Sequence, residues 1–342
     1  MNNNNFDNAA EILRKYNSWQ IFTHRKSDGD ALGSACALIT AGKNSGKSVN
    51  WFSPDEKPPR VYSFLPNIEQ FTAHENIFAF DNPEVLYVFL DCSNENRSVQ
   101  GFPTNPQSRA KISVLNIDHH EDNTLFGDIN CVDGKSSSTC EMLFNVLESG
   151  NFDINQQIAE ALFTGIYTDT GGFSFSCTSA KTHKIAAELI NCGVDSGIIT
   201  DKINQHKSLG GFLLWSRAMS RVKIFGDDDV FALSWLTLED FQESGASSSE
   251  TEGLSNMLMS LRGVKLIALL SQTQPGIIRV SFRSRPGINF GAGEVARNFG
   301  GGGHEQAAGV SVETSDAIPD FANRIEKFLI ARQKFERQKC TA

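Results

Sequence analysis

The sequence predicts an α/β protein with two domains: an N-terminal domain built on a parallel sheet and a smaller C-terminal α+β domain. Three observations support this. The chain has 342 residues, enough for about two domains. Short apolar runs alternate with segments of helical periodicity as far as residue 192, which is typical of parallel α/β folds. From about residue 215 the pattern changes to paired strands that flank a turn.

The N-terminal strands are predicted from short aliphatic and β-branched runs, at residues 19–23, 49–52, 85–90 and 112–117. The last two are near-continuous apolar runs, VLYVFL and ISVLNI, which suit parallel strands buried on both faces. Helical periodicity is found in residues 30–42, 138–149, 155–168 and 179–192. This alternation predicts a first domain over residues 1–206.

The C-terminal region is predicted to begin with a linking helix over residues 207–222, followed by a domain over residues 223–342. Residues 222–225 and 230–236 flank a Gly-Asp turn, and residues 264–271 and 277–284 flank Gln274-Pro275-Gly276. Helices are predicted over residues 250–261, 293–299 and 315–332.

Composition excludes several classes of protein. Hydrophobic residues make up 40% of the chain and charged residues 21%, which is not the balance of a disordered protein. No apolar run approaches the ~20 residues of a membrane span, and the first residues lack the basic and apolar regions of a signal peptide. The seven cysteines are scattered and form no C-x-x-C pair. We therefore expect a cytoplasmic protein with no membrane partner.

The net charge of −9 is unevenly distributed along the chain. Residues 262–342 contain 12 Lys/Arg and 7 Asp/Glu, a net charge of +5, whereas the other residues contain 19 and 33, a net charge of −14. Two interpretations are open. The difference is a chance fluctuation between solvated surfaces, or an acidic half binds cations while a basic half binds an anion.

Acidic and histidine residues follow the predicted strands or end a predicted helix. His24, Asp28 and Asp30 follow the first strand, Asp91 follows VLYVFL, and Asp118-His119-His120 follows ISVLNI. A fourth cluster contains Asp169, in the sequence D-T-G-G-F. Because ligands of open α/β sheets bind outside the carboxyl ends of the strands, we expect these side chains to converge.

The residue types indicate which chemistry such a site performs. The predicted metal ligands are His24, Asp28, Asp30, Asp91, His119 and Asp169. Mixed nitrogen and oxygen donors suit Mn²⁺ and exclude a soft thiolate site. Four carboxylates repel one another unless cations neutralise them, and two divalent ions would do so. Two ions roughly 3.5–4 Å apart could share a hydroxide and direct it at phosphorus.

These motifs resemble those of the DHH phosphoesterase superfamily: H-x-x-x-D-x-D, a lone Asp after a strand, D-H-H and D-T-G-G-F. Residues 300–309, GGGGHEQAAG, resemble the signature of the DHH-associated C-terminal domain, and residues 281–285 are similar to its S-x-R strand. The two-domain length resembles the branch of nano-RNases and pAp phosphatases. The chain departs from the family pattern at Lys26-Ser27, where Asn-Pro is usual.

The resemblance implies a role for each matching residue. His24 and Asp28 would bind one ion, Asp30, His119 and Asp169 the other, and Asp91 both. His120 would face the scissile phosphate, and Asp118 would orient a histidine, so that Asp91, His120 and Asp118 form the catalytic group. The substrate-binding residues would be Arg97, Arg283, Arg285, Gly301, Gly302, Gly303 and His304.

The resemblance implies hydrolysis, in a cleft between the two domains, of short single-stranded RNA to mononucleotides and of 3′-phosphoadenosine 5′-phosphate (pAp) to AMP. Two Mn²⁺ ions are the expected cofactors, with Mg²⁺ or Co²⁺ as substitutes. The alternatives are a cyclic-dinucleotide phosphodiesterase, a single-strand DNA exonuclease and an exopolyphosphatase. A protein of another class, a non-catalytic nucleotide sensor, would be indicated by loss of a ligand, and none of the six is missing.

Overall fold

The computed structural model describes residues 6–74, 76–204, 208–226, 230–303 and 305–341. Contacts between residues divide the chain into two compact units, Met1–His206 and Lys207–Ala342. Each unit contains one six-stranded sheet. In the described ranges, no helix combines the length and the apolar character that crossing a bilayer requires.

The sheet of the first unit is parallel throughout, with the strand order β3-β2-β1-β4-β5-β6. Its strands are β1 Ser18–Phe22, β2 Ser48–Ser53, β3 Phe71–Ala73, β4 Val85–Leu90, β5 Ser113–Asp118 and β6 Ile129–Val132. The four strands predicted from apolar runs are confirmed. The other two, β3 and β6, are short and only partly buried, so they lack the apolar run that identifies a strand in a sequence.

Both faces of this sheet are covered, as VLYVFL predicted. All six residues of β4 are buried. Leu86, Val88 and Leu90 belong to a core shared with the helices. Tyr87 and Phe89 point to the other face, into a second core that also contains Phe22, Phe78 and Phe80. Because successive side chains of a strand point to opposite faces of the sheet, one apolar run contributes to two cores.

Most helices of the first unit contribute buried residues to the core on one face of the sheet. The helices are α1 Phe6–Lys15, α2 Gly29–Asn44, α3 Pro106–Arg109, α4 Thr139–Ser149, α5 Gln156–Asp169, α6 Ala180–Asn191 and α7 Ser196–Asn204. Helices α2 and α5 pack so closely that a Cβ at Gly33 would lie 2.5 Å from the carbonyl oxygen of Ala161. This contact brings the first turn of α2, with Asp30, close to the last turn of α5, with Asp169.

The second unit has a mixed sheet with the order β11-β12-β10-β9-β8-β7. Its strands are β7 Lys223–Phe225, β8 Val230–Leu236, β9 Val264–Gln274, β10 Ile277–Ser284, β11 Gly302–Gly303 and β12 Ala307–Glu313. Strands β8 and β9 run parallel, and the other pairs are antiparallel. The two predicted strand pairs are confirmed, and β12 is an additional strand beside β10.

Helices of the second unit are α8 Leu209–Ser220, α9 Leu238–Ser244, α10 Leu254–Met259, α11 Ala292–Asn298 and α12 Ile318–Thr341. The single helix predicted over residues 250–261 is wrong: a 3₁₀ turn, Ser248–Thr251, precedes α10, and Gly253 between them has a φ of +83°. Such a left-handed residue cannot continue an α-helix. In the predicted linking segment, Leu214 and Ala218 of α8 are buried in a core of the second unit.

Candidate metal centre and anion-binding residues

The predicted metal ligands lie together at the carboxyl ends of adjacent strands. His24 follows β1, Asp91 follows β4, and His119 follows β5, and these three strands are neighbours in the sheet. Helices α2 and α5 add the other three carboxylates. Atoms lie within 4.8 Å of one another in three groups: His24, Asp28 and Asp91; Asp30, His119 and Asp169; and Asp91, His119 and His120.

In the first group, the imidazole of His24 presents Nε2 to two carboxylates. Nε2 is 3.2 Å from Asp91 Oδ2 and 3.9 Å from Asp28 Oδ1. On the other side of the ring, Nδ1 is 2.9 Å from the carbonyl oxygen of Arg25. A proton on Nδ1 satisfies that carbonyl and leaves Nε2 as the ligand atom. Asp28 also caps α2, since its side chain accepts from the N–H groups of Asp30 and Ala31.

In the second group, His119 Nε2 is 3.1 Å from Asp169 Oδ2 and 3.9 Å from Asp30 Oδ2. Asp30 is fully buried. Its two oxygens accept from the N–H groups of Thr139, at 2.6 Å, and Cys140, at 2.9 Å. The N-terminus of α4 thus stabilises this carboxylate through backbone donors and the helix dipole.

Asp91 lies between the two groups. Its Oδ1 is 3.6 Å from both His119 Nε2 and His120 Nδ1, and it accepts from the Thr139 hydroxyl at 3.1 Å. The residue adopts a left-handed φ of +57°, which Asp tolerates better than most residues. The chain therefore turns sharply after β4, and the carboxylate is held among three imidazoles.

His120 is oriented by Asp118, as the resemblance implied for one of the histidines. Its Nδ1 is 2.7 Å from Asp118 Oδ1, and Asp118 Oδ2 accepts from the Asn123 amide at 2.6 Å. On the other side, His120 Nε2 is 3.4 Å from Arg97 Nη1. Sequence reasoning missed Asn123, although a polar residue that follows the D-H-H motif so closely is a usable signal.

The pKa values of the histidines show how strongly this cluster attracts positive charge. Burial lowers the pKa of His24, but Asp91 and Asp28 outweigh it and raise the pKa to about 9. Burial likewise lowers the pKa of His119, but Asp169, Asp30 and Asp91 raise it to about 11. Bound protons therefore compensate the carboxylates when no other cation does.

The carboxylates respond to the same crowding. Burial and the charges of Asp91 and Asp169 raise the pKa of Asp28 to about 6, and burial and the same two charges raise that of Asp30 well above its ordinary value. Burial also acts to raise the pKa of Asp91, but the surrounding histidines outweigh it and hold the pKa well below its usual range. A cluster in which the histidines and several carboxylates have raised pKa values is a candidate for binding divalent ions, which would replace the bound protons.

The donor atoms fit the predicted type of metal. Carboxylate oxygens and imidazole nitrogens suit Mn²⁺ or Mg²⁺ better than soft ions. Cys92 and Cys140 are buried beside the cluster. However, burial raises the pKa values of Cys92 and Cys140 well above the ordinary value, and the Cys140 thiol donates to the carbonyl oxygen of Asp30 at 3.6 Å. Neither supplies the thiolate that a soft metal requires.

A buried carboxylate outside the cluster holds the loop that begins α4. Glu141 accepts from the Ser137 and Thr182 hydroxyls, each at 2.7 Å, and Lys181 Nζ lies 3.4 Å from it. The same loop supplies Thr139 to Asp30 and Asp91. Sequence reasoning missed Glu141 because its partners in α6 lie about 40 residues further along the chain.

In the second unit, Arg283 differs from the other predicted anion-binding residues. It lies on β10, and its guanidinium donates to the Phe282 carbonyl at 3.0 Å. Burial lowers its pKa. Within the described ranges, no carboxylate forms a salt bridge with it. A partly buried cation with no acidic neighbour is favourable for binding an anion.

Two other predicted substrate-binding residues of this unit bind backbone carbonyls, and their role stays a prediction. The Arg285 guanidinium donates to the carbonyl oxygens of Val264, at 2.9 Å, and Met259, at 2.7 Å. The Gly301 N–H donates to the Ala296 carbonyl at 2.9 Å, where it caps α11. Both groups are engaged in holding the unit's own backbone.

The rest of the glycine loop forms β11, in which Gly302 pairs with Gly309 and Gly303 with Ala308. A Cβ at Gly303 would lie 2.6 Å from the Ala307 carbonyl oxygen, whereas one at Gly302 would meet open space. The glycine at 303 is therefore required by the close strand pairing. His304 lies outside the described residues.

Comparison with known proteins identifies the family of this chain. A family model described as "DHH family, N-terminal domain" matches residues 19–166, and a DHHA1 domain model matches residues 229–331. The bifunctional oligoribonuclease and PAP phosphatase NrnA of Thermus thermophilus is 31% identical over 314 residues, covering 90% of this chain and 88% of that protein. The chain belongs to the DHH family.

Other DHH proteins agree with this assignment. NrnA of Bacillus subtilis is 30% identical over 321 residues, covering 90% of this chain and 94% of its own. The crystal structure of an exopolyphosphatase-related protein from Bacteroides fragilis superposes with a TM-score of 0.82 at 24% identity and covers 96% of both chains, which shows the common fold. The predicted family and fold class are confirmed, and membership of this metal-dependent phosphoesterase family makes the chain a hydrolase.

Proposed function

We propose that this DHH protein hydrolyses short oligoribonucleotides to mononucleotides and pAp to AMP, with two Mn²⁺ ions as cofactors. The observation that carries the proposal is the convergence of His24, Asp28, Asp30, Asp91, His119 and Asp169 on one sheet edge. The relatives that are about 30% identical over nearly the whole chain are named as oligoribonucleases and PAP phosphatases, which favours these substrates.

The six residues would hold the ions in two sets that share Asp91. His24 and Asp28 would bind one ion, and Asp30, His119 and Asp169 the other. Divalent ions bound there would lower the pKa of water enough for it to attack phosphorus and would neutralise charge on the phosphate. Mg²⁺ or Co²⁺ would serve as substitutes, since each accepts oxygen and nitrogen donors.

The neighbouring residues would orient the substrate and move protons. Asp118 fixes the His120 ring through Nδ1, so that Nε2 would be the atom that contacts the scissile phosphate. Arg97, 3.4 Å from Nε2, would bind a phosphate oxygen on the same side. In the second unit, Arg283 would bind a further phosphate or a terminal nucleotide.

The cellular location we propose is the cytoplasm. Six cysteines are free thiols: Cys36, Cys92, Cys131 and Cys140, which are buried, and Cys177 and Cys192. Free thiols are typical of proteins from reducing compartments.

A substrate panel tests the proposal. Purified protein with added Mn²⁺ would be incubated with an RNA dinucleotide, a long single-stranded DNA, a cyclic dinucleotide, pAp and polyphosphate, with His119→Ala as the matched blank. We expect release of mononucleotides from the RNA dinucleotide and phosphate from pAp, and neither product from the variant, which lacks one ligand.

Each other outcome changes a defined part of the proposal. Faster hydrolysis of the cyclic dinucleotide, the DNA or polyphosphate would replace the proposed substrate and keep the metal centre. Equal activity in His119→Ala would contradict the metal centre itself. Nucleotide binding without hydrolysis of any substrate would favour a sensor.

A further inference from the structure

One peptide group joins His24 to a carboxylate that is outside the metal cluster. The carbonyl oxygen of Arg25 is 2.9 Å from His24 Nδ1, and the N–H of Lys26, in the same peptide plane, donates to Asp55 Oδ1 at 2.9 Å. The C=O and N–H of a trans peptide point in opposite directions, so the group bridges the two side chains. We propose that Asp55 is a positioning residue, which fixes through this peptide the His24 ring that presents Nε2 to a metal ion.

The second oxygen of Asp55 strengthens this arrangement. It accepts from the N–H of Ser27 at 2.9 Å, so one carboxylate binds two successive N–H groups of the turn between His24 and Asp28. Lys26 has a φ of +60°, a conformation that the Cβ of a lysine disfavours. The backbone preference of Lys26 therefore does not stabilise this turn, and the hydrogen bonds to the Asp55 carboxylate do.

Asp55 is itself held by the end of the neighbouring strand. Its N–H donates to the Ser53 hydroxyl at 3.3 Å, and Ser53 is the buried last residue of β2. Strand β2 pairs with β1 in parallel register, with Phe52 beside Phe22. The turn is also fixed from the other side, where the Arg25 N–H donates to the Arg97 carbonyl at 2.7 Å. The carboxylate thus reaches the turn from a rigid element.

The chemical consequence concerns one of the two proposed ions. Hydrogen bonds in a chain polarise one another, so a carboxylate on the Lys26 N–H makes the Arg25 carbonyl a stronger acceptor for the His24 Nδ1 proton. Carboxylates that bind directly to a ligand histidine orient it and raise its basicity in the same way. Loss of Asp55 is therefore expected to weaken binding of the ion held by His24, Asp28 and Asp91. Binding of the ion held by Asp30, His119 and Asp169 should be unchanged.

Calorimetric titration of metal-free protein with Mn²⁺ tests this inference, which rests on the proposed function. Asp55→Ala is compared with Glu56→Ala, which removes the adjacent exposed carboxylate. We expect Asp55→Ala to weaken one of two Mn²⁺ binding events about ten-fold, with the other event unchanged and with Glu56→Ala like the wild type. Asp55→Asn, which keeps one acceptor oxygen, should be intermediate and serves if the alanine variant does not fold.

A second variant separates positioning from general stability. Asn tolerates the left-handed conformation better than Lys, so adding Lys26→Asn to Asp55→Ala should restore part of the lost affinity. Unchanged Mn²⁺ affinity in both Asp55 variants would overturn the inference while the proposed function stands. Equal weakening of both events together with a lower thermal midpoint would also overturn it, because Asp55 would then only hold the fold. A wild-type protein that binds no Mn²⁺ would contradict the proposed function, and the inference with it.

Discussion

The acidic cluster of the first unit and the basic residues of the second differ in how firmly the backbone determines their use. Around the cluster, a backbone carbonyl binds Nδ1 of His24 and leaves Nε2 directed at Asp91, and backbone N–H groups bind both oxygens of Asp30. In the second unit, two arginines that are close in sequence have different surroundings: Arg283 on β10 forms no salt bridge in the described ranges, whereas Arg285, just after β10, binds two backbone carbonyls. Metal ligands at strand ends can be recognised from motifs. Whether a long cationic side chain is available to bind an anion depends on the acceptor groups that lie beside it in the folded chain.

The largest expected effect concerns the residue shared by the two ligand sets. Asp91→Asn keeps the shape of the side chain and removes the charge that three histidines surround. We expect hydrolysis to fall by at least about a thousand-fold, as for residues that act as one catalytic unit. The measurement is kcat on the preferred substrate, with the exposed Asp153→Asn as the control. A variant that keeps a tenth of the wild-type rate would contradict the role of Asp91.

The next largest expected effect distinguishes Arg283 from Arg285. Arg283→Ala should lower kcat/KM about 10- to 100-fold, since a charge-assisted hydrogen bond contributes roughly 1.5–3 kcal/mol and each 1.36 kcal/mol is a factor of ten. Arg285→Ala should instead lower the free energy of unfolding by about 1 kcal/mol and change kcat/KM little. Steady-state kinetics and denaturant unfolding of both variants test this. The reverse pattern would restore Arg285 as the phosphate ligand.

The smallest effect concerns an ion pair that stabilises the second unit. Asp240 of α9 binds Arg221, the residue that follows α8, and also Arg217. Burial acts to raise the pKa of Asp240, but Arg221 and the Thr237 N–H outweigh it and lower the pKa from 3.8 to about 2. Asp240→Asn should therefore lower the free energy of unfolding by about 2 kcal/mol at neutral pH.

The pH dependence of that difference follows from the direction of the shift. A carboxyl group whose pKa is depressed on folding contributes stability above its ordinary pKa, and this contribution disappears as the pH falls through its folded value. The gap between wild type and Asp240→Asn should close between about pH 4 and pH 2. Urea unfolding across this range measures it, with the exposed Glu239→Gln as the control. A gap that is constant down to pH 2 would show that the carboxylate charge is not involved.

The sequence predicted those features that local pattern determines. Strand β4 was identified because all six of its residues are apolar, and the ligand set because the residues follow strands in an ordered series of motifs. Strand β12 was missed because its exposed residues interrupt the apolar pattern. Asp55 and Glu141 were missed for a different reason: their partners lie about 30 and 40 residues away, so only the folded chain shows what they bind.

Arg285 shows why the basic residues were harder to predict than the acidic ones. The resemblance gave Arg283 and Arg285 the same substrate-binding role. Strand β10 ends at Ser284, and the backbone of Arg285 still lies beside β9, since its N–H donates to the Lys265 carbonyl at 2.8 Å. The Arg285 guanidinium donates to the carbonyl oxygens of Val264 and Met259. No sequence pattern shows which backbone groups lie within reach of such a long side chain.

Counting bound Mn²⁺ tests most directly whether this cluster is a two-ion hydrolytic centre. Protein stripped with a chelator would be dialysed against Mn²⁺, and metal per chain would be measured for the wild type and Asp91→Asn together with hydrolysis of an RNA dinucleotide. We predict two ions per wild-type chain, activity that returns only with the ions, and loss of at least one ion in Asp91→Asn. Full activity in the stripped protein, or an equal metal content in the two proteins, would contradict the account.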